Sequence, residues 1–120
     1  MRGGYSILGS TFIGMEVENP QGESLGEVED IMIDSTGNVR YAAVSYGGFM
    51  GIGERMYAVP MDAFSFKRDK DMFYDNDVTL ILNVTQKQLK NEKGFDKKNW
   101  PNLEDENYRN DLDTHYNIKR

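Results

Sequence analysis

The 120-residue sequence contains no cysteine and a single histidine, His115. Without thiols there is no disulfide framework, no thiolate nucleophile and no cysteine-based zinc site. That usage suits a reducing compartment. One histidine leaves no histidine-rich metal site, and any serine–histidine pair would have to be built on His115. Long apolar runs are missing as well. The opening "MRGGYSILGSTFIGM" lacks the uninterrupted apolar core of a signal peptide, and no run approaches the ~20 residues that cross a bilayer. The expectation is a soluble, cytoplasmic chain with no membrane insertion. Internal repeats and low-complexity segments are also absent.

Positive charge is missing from the first third. No Lys or Arg lies between Gly3 and Val39, where Glu16, Glu18, Glu23, Glu27, Glu29, Asp30 and Asp34 fall. The net charge of -6 argues against direct nucleic-acid binding, which calls for a basic footprint. Lys87, Lys90, Lys93, Lys97 and Lys98 gather later in the chain. Two solvated faces account for this segregation. Steering between acidic and basic patches is the functional alternative.

A chain this long suits one domain able to bury roughly two thirds of its unfolded surface. The 38% hydrophobic fraction can supply a core, and the mean hydropathy of -0.67 implies long polar stretches beside it. Turn chemistry punctuates residues 12–84 into short strands. "FIGMEVEN" reads as the first, followed by a turn over Pro20 and Gly22. "SLGEVEDIMID" reads as the second, exposed in its first half and buried in its second, with a bulge or bend near Gly26. "DSTGN" makes a hairpin loop around Gly37, and "VRYAAVSY" is a nearly continuous β-rich run suited to a central strand. "ERMYAV", "FSFK" and "VTLILNV" complete the set, with Pro60 closing the first of these. Short strands at regular spacing predict a mainly β fold, a small antiparallel β-barrel with short C-terminal helices.

Helix signals come last. In "VTQKQL", Thr85 can cap, Gln88 can reach back, and Val84 can staple onto Leu89, with Gly94 as a stop. In the tail, Glu104, Asp105 and Glu106 suit a first helical turn, and Tyr108, Leu112, His115 and Tyr116 share one helical face. His115 on that face is read as packing. Trp100, next to Pro101, is the anchor ahead of it. The expected organisation is an N-terminal arm (1–11), a barrel (12–93) and a C-terminal extension (94–120) docked on the barrel or on a second subunit.

The glycine-rich stretch "SYGGFMGIGERMYAVP" fits G-x-x-x-x-G, but Glu54 and Arg55 stand where a phosphate loop needs Lys and a hydroxyl. Met56 stands where the dinucleotide fingerprint needs its last Gly, and both motifs require a following helix. Gly47, Gly48, Gly51 and Gly53 are therefore read as a structural loop, with Phe49, Met50 and Ile52 either plugging the barrel or meeting a partner. Asp69, Asp71, Asp75 and Asp77 lack the turn glycine and closing Glu of a calcium loop, so a solvated hairpin tip is expected. Glu16, Glu27, Glu29 and Asp30 could pair carboxylates, but no nucleophile or oxyanion donor accompanies them. No catalytic residue, cofactor or metal is expected.

The combination of Ile13-Gly14, Pro20 to Gly22, Leu25-Gly26 leading into Val28 to Asp34, Gly47-Gly48-Phe49, Gly51-Ile52-Gly53 and Val59-Pro60 resembles the PRC-barrel family over roughly residues 12–92. The tail around Trp100-Pro101 and Tyr116 also looks like the extension of stand-alone bacterial members. The resemblance implies a small β-barrel that serves as a scaffolding module, as in the reaction-centre H subunit and a ribosome-maturation factor, with no catalytic residues to carry over. Neither the membrane helix of the first nor the N-terminal domain of the second is expected here, so photosynthetic assembly and ribosome work are not what the resemblance implies. The expected function is a non-catalytic protein-interaction module that forms a homodimer and binds a further protein, with Trp100, Pro101, Tyr108, Leu112 and Tyr116 joining the glycine-loop apolar residues as candidate contacts. A barrel binding a small ligand or ion is the alternative, and an RNA-processing or ribosome-associated adaptor the third.

Overall fold

The computed structural model describes residues 6–46, 55–68, 78–90, 94–96 and 98–118. The glycine loop with Phe49, Met50 and Ile52, and the aspartate-rich tip at 69–77, lie outside the described residues.

Among the described residues, a short helix, α1 (Gly9–Phe12), precedes six strands: β1 (Glu16–Glu18), β2 (Ser24–Ile33), β3 (Val39–Tyr46), β4 (Arg55–Pro60), β5 (Phe64–Arg68) and β6 (Val78–Leu82). They form one curled sheet in the order β4-β3-β2-β1-β6-β5. Only a 3-10 turn, Met61–Ala63, separates β4 from β5, the strands at the two ends of this order, so the sheet curls into a half-barrel. The pairs are antiparallel except β1 with β6, which run parallel through Val17 opposite Leu80. "FIGMEVEN" is not one strand. Its start is helical, and Phe12 turns inward to meet Phe64 edge-on and stack with Phe66.

Cross-strand partners share a face, so the register fixes which side chains point inward. Val17, Val28, Val44, Ala42, Tyr57, Val59, Leu80 and Leu82 lie on the inner face and all are buried. The alternation of "VTLILNV" appears directly, with Val78, Leu80 and Leu82 buried between half-exposed neighbours.

β2 departs from expectation. Its register shifts between Val28 and Asp30, leaving Glu29 as an extra residue. The bulge resets the alternation, so Val28 and Ile31 share the inner face three residues apart. Burial is the reverse of the predicted order: Leu25 and Val28 are fully buried, while Ile33 is 62% exposed. The irregularity expected near Gly26 is present too, where Val17 pairs with Gly26 but Glu18 with Ser24. Gly26 has φ +128°, and a Cβ there would meet the Ser45 carbonyl. Only glycine permits that approach.

Local chemistry sets the turns. Asn19, buried, accepts from the backbone N–H of Gln21 (3.1 Å) and Glu23 (2.9 Å) and donates to Glu23 Oε1 at 2.7 Å. Its polar atoms are satisfied inside the turn, as a buried amide requires. At the next hairpin, Asp34 accepts from Thr36 Oγ1 (2.6 Å), the Thr36 and Asn38 N–H groups (2.9 and 3.0 Å) and Arg40 (3.3 Å). These donors, led by the Thr36 hydroxyl, lower its pKa from 3.8 to about 2. Before α2 (Gln86–Lys90), the Thr85 N–H donates to Gln88 Oε1 and the Gln88 N–H to Thr85 Oγ1, the reciprocal cap read from the sequence.

Candidate functional site

Two faces of the sheet are buried where one would suffice. Tyr41, Ala43, Met56, Ala58 and Pro60 sit on the outer face of β3 and β4 yet are as buried as their inward neighbours. The cover is residues 94–118 of the same chain. Phe95 extends the sheet as an isolated bridge to Met56, through N–H···O bonds of 2.8 and 2.9 Å, and so caps the β4 edge. Gly94, at φ +66°, brings the chain alongside Tyr57 and the Met56 carbonyl. Trp100 packs on Phe95 with ring centroids 4.9 Å apart. α3 (Glu106–His115), capped by Asp105 accepting from the Asn107 N–H, contacts β4.

This placement decides what the extension's candidate contacts can do. Leu112 and Tyr116 are buried in the chain's own core, Tyr108, His115 and Trp100 pack partly buried beside it, and Pro101 is half-buried. The helical face read from the sequence is therefore spent on the outer face of β3–β4. Pro60, fully buried, ends β4.

Exposed apolar side chains lie elsewhere. Leu8 (72% exposed) and Ile13 (40%) flank α1, and Phe66 (41%) lies on β5 beside Phe12. A second pair, Ile33 opposite Val39, closes the β2–β3 hairpin. Sequence reasoning named none of these as contacts. The available signal was "FSFKR" itself, a short strand with aromatics at alternate positions.

Two concavities lie among the described residues. A cleft of about 40 Å³, room for a few waters, lies between the hairpin and the extension, lined by Met32, Asp34, Arg40, Tyr41, Leu103 and Arg109 among others. Its two cations are offset by Asp34, which already pairs with Arg40, and by Glu104. An open groove of about 410 Å³ is lined by Thr11, Met15, Glu16, Glu18, Val78 and Thr79. Among the described residues, no group of three or more His, Cys, Asp or Glu side chains is placed to hold a metal ion. Among them also, no helix is long and apolar enough to cross a membrane.

In comparison with known proteins, a family model described as PRC-barrel domain matches residues 6–78, more than half of the chain. The match begins just ahead of α1 and stops at the first residue of β6, so α2, Phe95 and α3 lie beyond it. No curated protein matches the chain.

Proposed function

From the premise that the chain belongs to the PRC-barrel domain family, we propose that it is a non-catalytic protein-interaction module that associates with a second copy of itself. The observation that carries this reading is the difference between the two ends of the sheet. The β4 end is covered by the chain's own extension, whereas the β5 end carries exposed Phe66 next to α1 with Leu8 and Ile13. Apolar side chains clustered at a sheet edge favour protein contact over solvent. Light scattering of the full chain over a concentration series tests it. The expected mass is twice 13.8 kDa at high concentration, falling toward the single-chain mass on dilution. One mass of 13.8 kDa throughout removes self-association.

The groove holding Glu16 and Glu18 favours a second reading, a small cationic ligand. A ligand bound only by the folded chain raises its melting temperature, so a thermal-shift series with polyamines and divalent cations separates the two. No shift removes the second reading.

A further inference from the structure

We propose that β5 is the strand through which two copies join, pairing antiparallel about a two-fold axis at Phe66 so that two half-barrel sheets become one. This rests on the self-association reading above and names its surface.

Hydrogen bonding comes first. Among the described residues, β5 pairs with β6 on one side only, from Phe64 opposite Leu82 to Arg68 opposite Val78. An edge strand presents a row of backbone donors and acceptors to any strand that can lie alongside it. The opposite sheet end is treated differently, since Phe95 bonds to Met56 there.

The side chains suit a second copy and disfavour one neighbouring register. Centring the pair on Phe66 places Phe66 opposite its own copy, Ser65 opposite Lys67, and Phe64 opposite Arg68. No like charges face each other, and an aromatic pair lies at the axis. Moving the centre one residue, to Lys67, sets Lys67 against its own copy and is disfavoured. Such a self-complementary patch is what a closed two-fold dimer needs. The Phe66 ring is already positioned by stacking on Phe12, with centroids 6.2 Å apart and planes 24° apart. Leu8 and Ile13, at the ends of the helix that carries Phe12, extend the apolar surface around it.

Long-range charge agrees. Each chain carries a net charge of -6, and β1 and β2 hold Glu16, Glu18 and Glu27 on the outer face. With β5 joined to β5, the two β1 strands are five strand spacings apart, about 24 Å at ~4.8 Å each. That exceeds the ~8 Å screening length at physiological salt. Two acidic chains can meet here without their acidic strands facing each other.

The test uses the full chain and light scattering. Phe66→Lys and Phe66→Glu each set a charge against its own copy and are expected to weaken dimerisation at least tenfold. An equimolar mixture sets Lys opposite Glu and is expected to restore the dimer. Because Phe66 also touches Phe12, a second pair avoids the core: Ser65 is exposed, so Ser65→Lys meets Lys67 of the other copy and weakens the dimer, while Ser65→Glu strengthens it. If the wild type dimerises and the Ser65 and Phe66 variants dimerise equally well, this edge is wrong while self-association stands. A wild type that is monomeric at every concentration removes both.

Discussion

Replacing Gly26 with alanine tests the sheet geometry at the point where it is tightest. Gly26 has φ +128°, a region that L residues avoid, and its added Cβ would fall inside contact distance of the Ser45 carbonyl oxygen, 3.0 Å from that carbonyl carbon and 3.3 Å from Val44 Cγ1. The backbone penalty is of order 1–3 kcal/mol. Forcing β2 and β3 apart adds about 1–3 kcal/mol, as for other overpacked sites. The total, roughly 2–6 kcal/mol, is a large share of the 5–15 kcal/mol typical of a domain. In urea, with a slope of about 1–3 kcal/mol per molar, the midpoint should fall by about 1 M or more. Gly37→Ala is the control. It shares a positive φ, +90°, but a Cβ there meets nothing within 4 Å, so only the backbone term of order 1–3 kcal/mol should appear. Equal losses at the two sites would refute the close approach, and a loss under ~0.5 kcal/mol at Gly26, as at an ordinary surface site, would refute the register itself.

Leu112→Ala should destabilise the whole chain by about 2–5 kcal/mol, because Leu112 is buried within the same core cluster as the barrel residues. A single cooperative urea transition at a lower midpoint is the expected readout, and an unchanged midpoint would mean the extension is not docked. Asp34 should contribute stability that is fully present above pH 3.8 and lost as pH falls toward about 2, since its folded pKa lies below its ordinary value. Melting curves of wild type and Asp34→Ala should therefore differ at neutral pH and converge below pH 2. A constant gap across that window would assign the effect to packing instead.

Much of this arrangement was legible from local chemistry. Thr85 and Gln88 bond as their spacing requires, and Val78, Leu80 and Leu82 bury on alternate positions. The turn residues were legible as well, though the buried role of Asn19 was not, because the groups its Oδ1 accepts from are backbone N–H groups that any sequence supplies. The burial order of β2 was misread for a definite reason. Alternation assumes an unbroken ladder, and it is broken twice, at the extra residue Glu29 and again between Met32 and Ile33. The parallel β1–β6 pair left no local trace, since it joins segments some sixty residues apart. The double burial of β3 and β4 did leave one: "YAAV" and "MYAVP" are apolar at consecutive positions, the mark of a strand covered on both faces. What covers them, residues 94–118, was readable as amphipathic and docked, with its own barrel and a second subunit left as the two alternatives. Phe66 was missed because alternation marks it as inward, like its partner Leu80, whereas it lies 41% exposed on the terminal strand of the sheet.

Hydrogen exchange on the full chain, at concentrations well above and well below the dimer midpoint, tests joining at β5 most directly. The outward-facing half of the Phe64–Arg68 amides should gain protection as concentration rises, while those of β2 and β3 stay constant. Exchange across β5 that is the same at both concentrations would contradict it.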